Sequence, residues 1–129
     1  MRAHIAAPGG RHPGAPDKVG PGVACVQGYG LCMVRHVVMF TFKDGVTDAQ
    51  IESYSAAIRA LPAVIPQIRD YKLGRDVGVN PGNFAMVVCG DFDSVDDYVV
   101  YRDHPEHQRV IKEIGLPIIA QRAAVQFEF

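Results

Sequence analysis

Hydrophobic and polar positions follow a regular period only after residue 33. Residues 1–32 hold seven glycines and four prolines without a helical or strand period, so this stretch cannot bury enough apolar surface to offset its ordering entropy. We therefore expect a disordered extension over 1–32 and one domain over 33–129. Met33 directly precedes the first ordered element, and we expect it to be the natural start of the protein.

The first two elements have clear signals. Residues 34–42 alternate, with Val34, His36, Val38, Phe40 and Phe42 on one face, which is the period of a strand. Thr47 and Gln50 form a capping box. The helix that follows has an apolar stripe of Ile51, Tyr54, Ile58 and Leu61 and ends at Pro62, because proline cannot continue it.

The rest of the chain predicts a two-layer fold. The further elements are strands over 69–76, 84–92 and 123–129, a short helix capped by Ser94, and a helix from Pro105 to Gly115 followed by an apolar turn at Pro117. The order β-α-β-β-α-β is the ferredoxin-like arrangement, with helices on one face of a four-stranded antiparallel sheet. Strand 84–92 is apolar on both faces and is therefore predicted to be central.

The predicted helices leave the second face of the sheet uncovered. We expect His36, Val38 and Phe40 to line this face. An exposed apolar sheet face favours dimerisation, and two sheets that face each other would form a dimeric α/β barrel with an interior cavity. The sequence therefore predicts a homodimer.

Composition excludes several classes of protein. The net charge of −1 and 21% charged residues do not favour nucleic acid, which recruits a basic face. The sequence has neither an apolar run of membrane-spanning length nor a signal-peptide segment. Three cysteines without metal-site spacing indicate reduced thiols, and hence a cytoplasmic protein.

Candidate chemistry lies in Tyr101-Arg102-Asp103-His104-Pro105-Glu106-His107. Pro105 fits the first helical turn, which places His104 at the cap and His107 one turn further on the same side. A histidine can exchange a proton near neutral pH, and a phenol can stabilise a developing oxyanion. Each residue also has a structural interpretation: a backbone hydrogen bond for His107, a cap for His104, core packing for His36 and Tyr101.

A metal site is the weaker alternative. His104 and His107 would supply two nitrogens, and Asp103 a carboxylate or His36 a third nitrogen, but a cap position directs His104 away from the helix axis. We therefore predict no metal and no other cofactor.

Three motifs resemble the stress-responsive dimeric α/β barrel (Dabb) family. They are the opening strand Val34-Arg35-His36-Val37-Val38-Met39-Phe40 with Phe42-Lys43, the segment Leu73-Gly74-Arg75-Asp76-Val77, and His104-Pro105-Glu106-His107. The resemblance covers residues 34–129. It implies a homodimeric barrel whose C-terminal strand pairs across the dimer, and a pocket between sheet and helices.

Plant polyketide cyclases of this family share the opening-strand histidine and the tyrosine before the HPxH motif. This resemblance implies that Tyr101 and His107 are catalytic and that His36 and His104 are pocket positions. The chain departs from the cyclases in having apolar residues near Met86, where they have a histidine, and Leu73-Gly74, where they have Trp-Gly.

Two functions follow from the resemblance. The first is a stress-associated dimer that binds a small apolar, carbonyl-containing ligand without catalysis. The second is a polyketide cyclase-like enzyme in which His107 abstracts a proton beside a carbonyl while Tyr101 stabilises the enolate.

Overall fold

The computed structural model describes residues 32–129. Its strands are β1 (Val34–Phe42), β2 (Asp70–Arg75), β3 (Met86–Phe92) and β4 (Ile119–Glu128), and its helices are α1 (Asp48–Arg59), α2 (Val95–Asp103) and α3 (Pro105–Arg109). A 3-10 turn covers Leu61–Ala63, and a π-helical segment covers Val110–Gly115. The predicted extension lies outside the described residues, except for Cys32.

The four strands form one antiparallel sheet in the order β2-β3-β1-β4. The central position expected for the third strand is confirmed, and the α+β ferredoxin-like arrangement is confirmed with it. No helix among residues 32–129 is long and apolar enough to cross a membrane.

Helices α1 and α2 begin after the capping residues Thr47 and Ser94, as the sequence predicts. The N–H of Gln50 donates to Thr47 Oγ1 at 3.2 Å, and the Thr47 N–H donates to Gln50 Oε1 at 2.8 Å. Ser94 Oγ accepts from the N–H of Asp97 at 3.1 Å. Each contact satisfies an N–H group that the first helical turn leaves unpaired.

The last strand begins earlier than the sequence indicates. β4 starts at Ile119 rather than at residue 123, because Ile119 pairs with Phe42 beyond a register shift at the end of β1. Residues 119–122 read as Ile-Ala-Gln-Arg and show no strand alternation, so backbone pairing alone makes them a strand.

The expectation that His36, Val38 and Phe40 line the uncovered sheet face is wrong. All three are buried, and Val38 and Phe40 belong to the core that includes Ile51 and Tyr54 of α1. β1 is apolar on both faces between residues 37 and 40, so its alternation could not show which face the helices cover.

The uncovered face carries the alternate residues of each strand. On β1 these include Arg35, Val37 and Met39, and the register places Cys89 and Val125 beside Val37. Other exposed apolar side chains that the register or the strand alternation assigns to this face are Val87, Phe127 and Phe129. Its charged members form two ion pairs, Arg35 with Asp91 through hydrogen bonds of 2.7 and 2.9 Å and Lys72 with Asp70 of β2 at 2.8 Å. The face is therefore apolar around Val37, with two internally neutralised ion pairs.

Candidate functional site

A cavity of about 240 Å³ lies between the covered face of the sheet and the helices. Its wall is mainly apolar. The lining residues are His36, Val38, Phe40, Tyr54, Ile58, Tyr71, Val88, Tyr98, Tyr101, Arg102, His107, Val110, Ile111, Leu116, Ile119 and Arg122. Three of the four site residues predicted from the sequence, His36, Tyr101 and His107, therefore meet in one cavity.

His36 enters the cavity from the centre of the sheet. Its Nδ1 lies 2.7 Å from Nε2 of Gln126, its register partner on β4. An amide nitrogen can only donate, so His36 Nδ1 accepts and its proton sits on Nε2. Burial, reinforced by the charges of Arg122 and His107, lowers the pKa of His36 from 6.5 to about 4. The imidazole is therefore neutral at neutral pH.

His107 is held by the backbone of the preceding helix. Its Nδ1 lies 2.9 Å from the carbonyl oxygen of Arg102. A carbonyl only accepts, so Nδ1 donates and Nε2 keeps a free lone pair. Burial lowers the pKa of His107, and the charge of Arg122 acts in the same direction, while the bond to the Arg102 carbonyl opposes them. The ring can thus serve as a neutral base.

The ring of Tyr101 packs directly against the imidazole of His107. It is 2% exposed, and its ring centroid lies 4.2 Å from that of His107 with the planes 31° apart. Its hydroxyl lies 2.7 Å from that of Tyr71. Burial raises the pKa of Tyr101 to about 12, although the hydrogen bond from Tyr71 lowers it. Tyr101 therefore stays protonated, and its hydroxyl can donate to a ligand oxygen when the hydroxyl of Tyr71 donates to it.

The structure places His104 elsewhere. Its ring does not belong to the cavity wall, and its Nδ1 accepts a hydrogen bond of 3.1 Å from the N–H of Glu106. His104 thus caps α3, which is the structural alternative that the sequence left open for it.

Sequence reasoning missed the residues that support the site from other elements. Tyr71 on β2 and Gln126 on β4 hydrogen-bond Tyr101 and His36, respectively. Gly90 makes room for Tyr71, because a Cβ at this position would lie 3.1 Å from the Tyr71 ring. Strand alternation alone could have placed Tyr71 on an inward face, but the sequence offers no signal for its partner.

The π-helical segment contributes to the cavity wall. The N–H of Leu116 donates to the carbonyl of Ile111 at 2.8 Å, five residues back. Gly115 packs against Tyr54, where an added Cβ would lie 3.0 Å from the ring. The widened turn thus brings Ile111 and Leu116 to the cavity wall.

The described site contains the parts of an acid–base pair without a metal-binding cluster. Within residues 32–129, no group of three or more histidine, cysteine, aspartate or glutamate side chains could hold a metal ion. A neutral imidazole with a free nitrogen beside a protonated phenol can remove a proton and stabilise the oxyanion that results.

This chain is similar to known proteins in sequence and in fold. Residues 34–129 match the family described as the Stress Responsive A/B Barrel Domain. Olivetolic acid cyclase of Cannabis sativa is 32% identical over 76 residues, which cover 57% of this chain and 75% of that protein.

Two solved structures are also similar to this chain in sequence and in fold. A dimeric ferredoxin-like protein of unknown function from Thermobifida fusca is 38% identical with a TM-score of 0.71, over 78% of this chain and 93% of its own. A dimeric protein of ferredoxin-like fold from Bacteroides fragilis is 36% identical with a TM-score of 0.66, over 75% and 96% of the two chains. The chain therefore belongs to the stress responsive A/B barrel domain family and has its ferredoxin-like fold.

Proposed function

We propose that the protein binds a small, mainly apolar compound with a carbonyl group in the cavity between sheet and helices. The observation that carries this proposal is the convergence of His36, Tyr101 and His107 on one apolar cavity, because ligand sites combine apolar walls with a few polar groups. The volume of about 240 Å³ is below the roughly 300–1,000 Å³ of most such sites, which favours a short chain or a single ring.

A titration with 2-heptanone, followed by the imidazole signals in NMR spectra, tests this proposal. The signals of His36 and His107 should shift saturably, whereas the signal of His104 should not, because His104 lies outside the cavity wall. Equal shifts of all three histidines, or no shift at all, would contradict binding in the cavity.

Catalysis is the second candidate, and the orientation of His107 favours it. The bond from Nδ1 to the Arg102 carbonyl leaves Nε2 to take a proton from a carbon beside a carbonyl. The electron pair moves onto the carbonyl oxygen, where the Tyr101 hydroxyl stabilises the enolate. The α-carbon of this enolate can attack a second carbonyl of the same molecule and close a ring, and the alkoxide that forms takes the proton from Nε2 of His107. Similarity to a protein named as a cyclase supports this candidate.

Deuterium exchange of the protons beside the 2-heptanone carbonyl tests catalysis and does not require the natural substrate. We expect exchange above the buffer rate, and a loss of about 10²-fold or more for His107→Gln and for Tyr101→Phe. His104→Gln is the matched control, three residues before His107 at the cap of the same helix, and should keep the rate. A wild-type rate equal to buffer would overturn catalysis and leave ligand binding as the function.

The proposal includes a homodimer that buries the uncovered sheet face. This face is apolar around Val37, Met39 and Val125, and its two ion pairs are internally neutralised. The relatives from Thermobifida fusca and Bacteroides fragilis are described as dimeric. The stress-associated role and the cytoplasmic location stay predictions.

A further inference from the structure

Two arginines lie at the mouth of the cavity, and they differ in their partners. Both are exposed and both line the cavity. Arg102 is bound to its neighbour Asp103 through hydrogen bonds of 2.8 and 3.0 Å. The guanidinium of Arg122 has no hydrogen bond or ion pair to any of the residues that the structure describes. The mouth thus combines a neutralised guanidinium with an unneutralised one.

The position of Arg122 on β4 directs its charge toward the cavity. It lies opposite Phe40 in the register, on the sheet face that the helices cover. Its charge acts on both imidazoles, because it lowers the pKa values of His36 and His107. No carboxylate belongs to the described cavity wall. The positive charge of Arg122 is therefore not compensated by a negative charge on any described residue that lines the cavity.

A second polar group faces the cavity without a protein partner. Tyr54 is 3% exposed and lines the cavity, but its hydroxyl has no hydrogen bond to any residue in 32–129. Burial raises the pKa of Tyr54, so the hydroxyl remains a donor. No buried side-chain nitrogen or oxygen among residues 32–129 lacks a hydrogen-bond partner, so solvent reaches the Tyr54 hydroxyl, and a ligand oxygen in the cavity can accept its hydrogen bond in place of water.

We propose that the natural ligand is a carboxylate with a short apolar chain. Its carboxylate pairs with Arg122 at the mouth, its chain fills the cavity, and an oxygen of the ligand accepts from Tyr54. A guanidinium binds a carboxylate through two parallel hydrogen bonds, and Arg122 is the guanidinium at the mouth that has no such partner among residues 32–129. This inference rests on the proposed function, because it takes the same cavity as the ligand site.

Hexanoate and hexanamide test this inference, because they share shape and differ in charge. At pH 7.5, calorimetry should show that the wild type binds hexanoate at least about tenfold more tightly than hexanamide. Arg122→Gln should remove this preference by weakening the binding of hexanoate more than that of hexanamide, and Arg122→Lys should keep part of the preference. Arg59→Gln is the matched control, since Arg59 is exposed, pairs with Glu52 and lies outside the cavity wall.

Equal affinity of the wild type for both compounds, or a preference that survives Arg122→Gln, would overturn the inference. The binding and exchange of 2-heptanone, which is neutral, report on the proposed function separately. Normal 2-heptanone binding without a carboxylate preference would reject only the role of Arg122. A carboxylate preference that depends on Arg122, in a protein without exchange, would support the inference and reject only catalysis.

Discussion

The hydroxyl oxygens of Tyr71 and Tyr101 lie 2.7 Å apart and join the edge strand β2 to helix α2. Either hydroxyl can be the donor of this bond, which lowers the pKa of Tyr101. When Tyr71 donates, the proton of Tyr101 is available to a ligand. Gly90, opposite Tyr71 on β3, leaves the space that this arrangement requires.

Tyr71→Phe should destabilise the protein by about 1 kcal/mol, because it removes the hydrogen bond to a buried hydroxyl. Urea denaturation followed by circular dichroism would measure the loss. Tyr98→Phe is the matched control, since Tyr98 also lines the cavity but its hydroxyl has no hydrogen bond within the described chain. Equal losses in the two variants would show that the Tyr71–Tyr101 bond does not contribute to stability.

The protein should lose stability on acidification because of His36. Its pKa is 6.5 in the unfolded chain and about 4 in the folded protein, so the unfolded state binds more protons between these values. The stability that this group contributes is complete above pH 6.5 and is lost as the pH falls toward 4. Between about pH 7.5 and 5.0, the free energy of unfolding should fall by about 2 kcal/mol.

Urea midpoints of the wild type and His36→Gln at the two pH values would test this expectation. Glutamine does not titrate, so the variant should lose less stability on acidification. A smaller dependence should remain, because the pKa of His107 is also lowered. The same loss in both proteins would contradict the assignment to His36.

Arg122→Gln should raise the pKa of His107, because the charge of Arg122 disfavours a protonated ring nearby. A titration of the imidazole Cε1 protons by NMR would measure the change. The pKa of His36 should rise as well, whereas Arg59→Gln should change neither value. Unchanged pKa values in Arg122→Gln would mean that solvent screens this charge from the cavity.

Substitution by aspartate should have different effects at two neighbouring residues of β1. Val38 is 4% exposed in the core, so Val38→Asp should prevent folding, at a cost of more than about 4 kcal/mol. Met39 lies on the uncovered face and is 38% exposed, so Met39→Asp should leave each subunit folded and weaken the dimer. Circular dichroism and sedimentation equilibrium would separate the two effects. A folded Val38→Asp protein, or a Met39→Asp dimer as stable as the wild type, would contradict the assignment of the two faces.

The structural role of individual residues was predictable where the signal was local. The Thr47–Gln50 capping box lies within one helical turn, and Pro105 begins α3 as expected. The contacts that orient the cavity side chains were not predictable. Gln126 reaches His36 across 90 positions of the chain, and no local pattern records such a partner.

The sequence by itself determined the order of elements, the two-layer fold and the grouping of Tyr101 and His107 on neighbouring turns, because periodicity and capping act over a few residues. The tertiary structure decided which face of β1 is covered, since both faces are apolar between residues 37 and 40. It also decided that His104 caps a helix while Arg122 faces the cavity, because these positions depend on the packing of strands and helices that are distant in the chain.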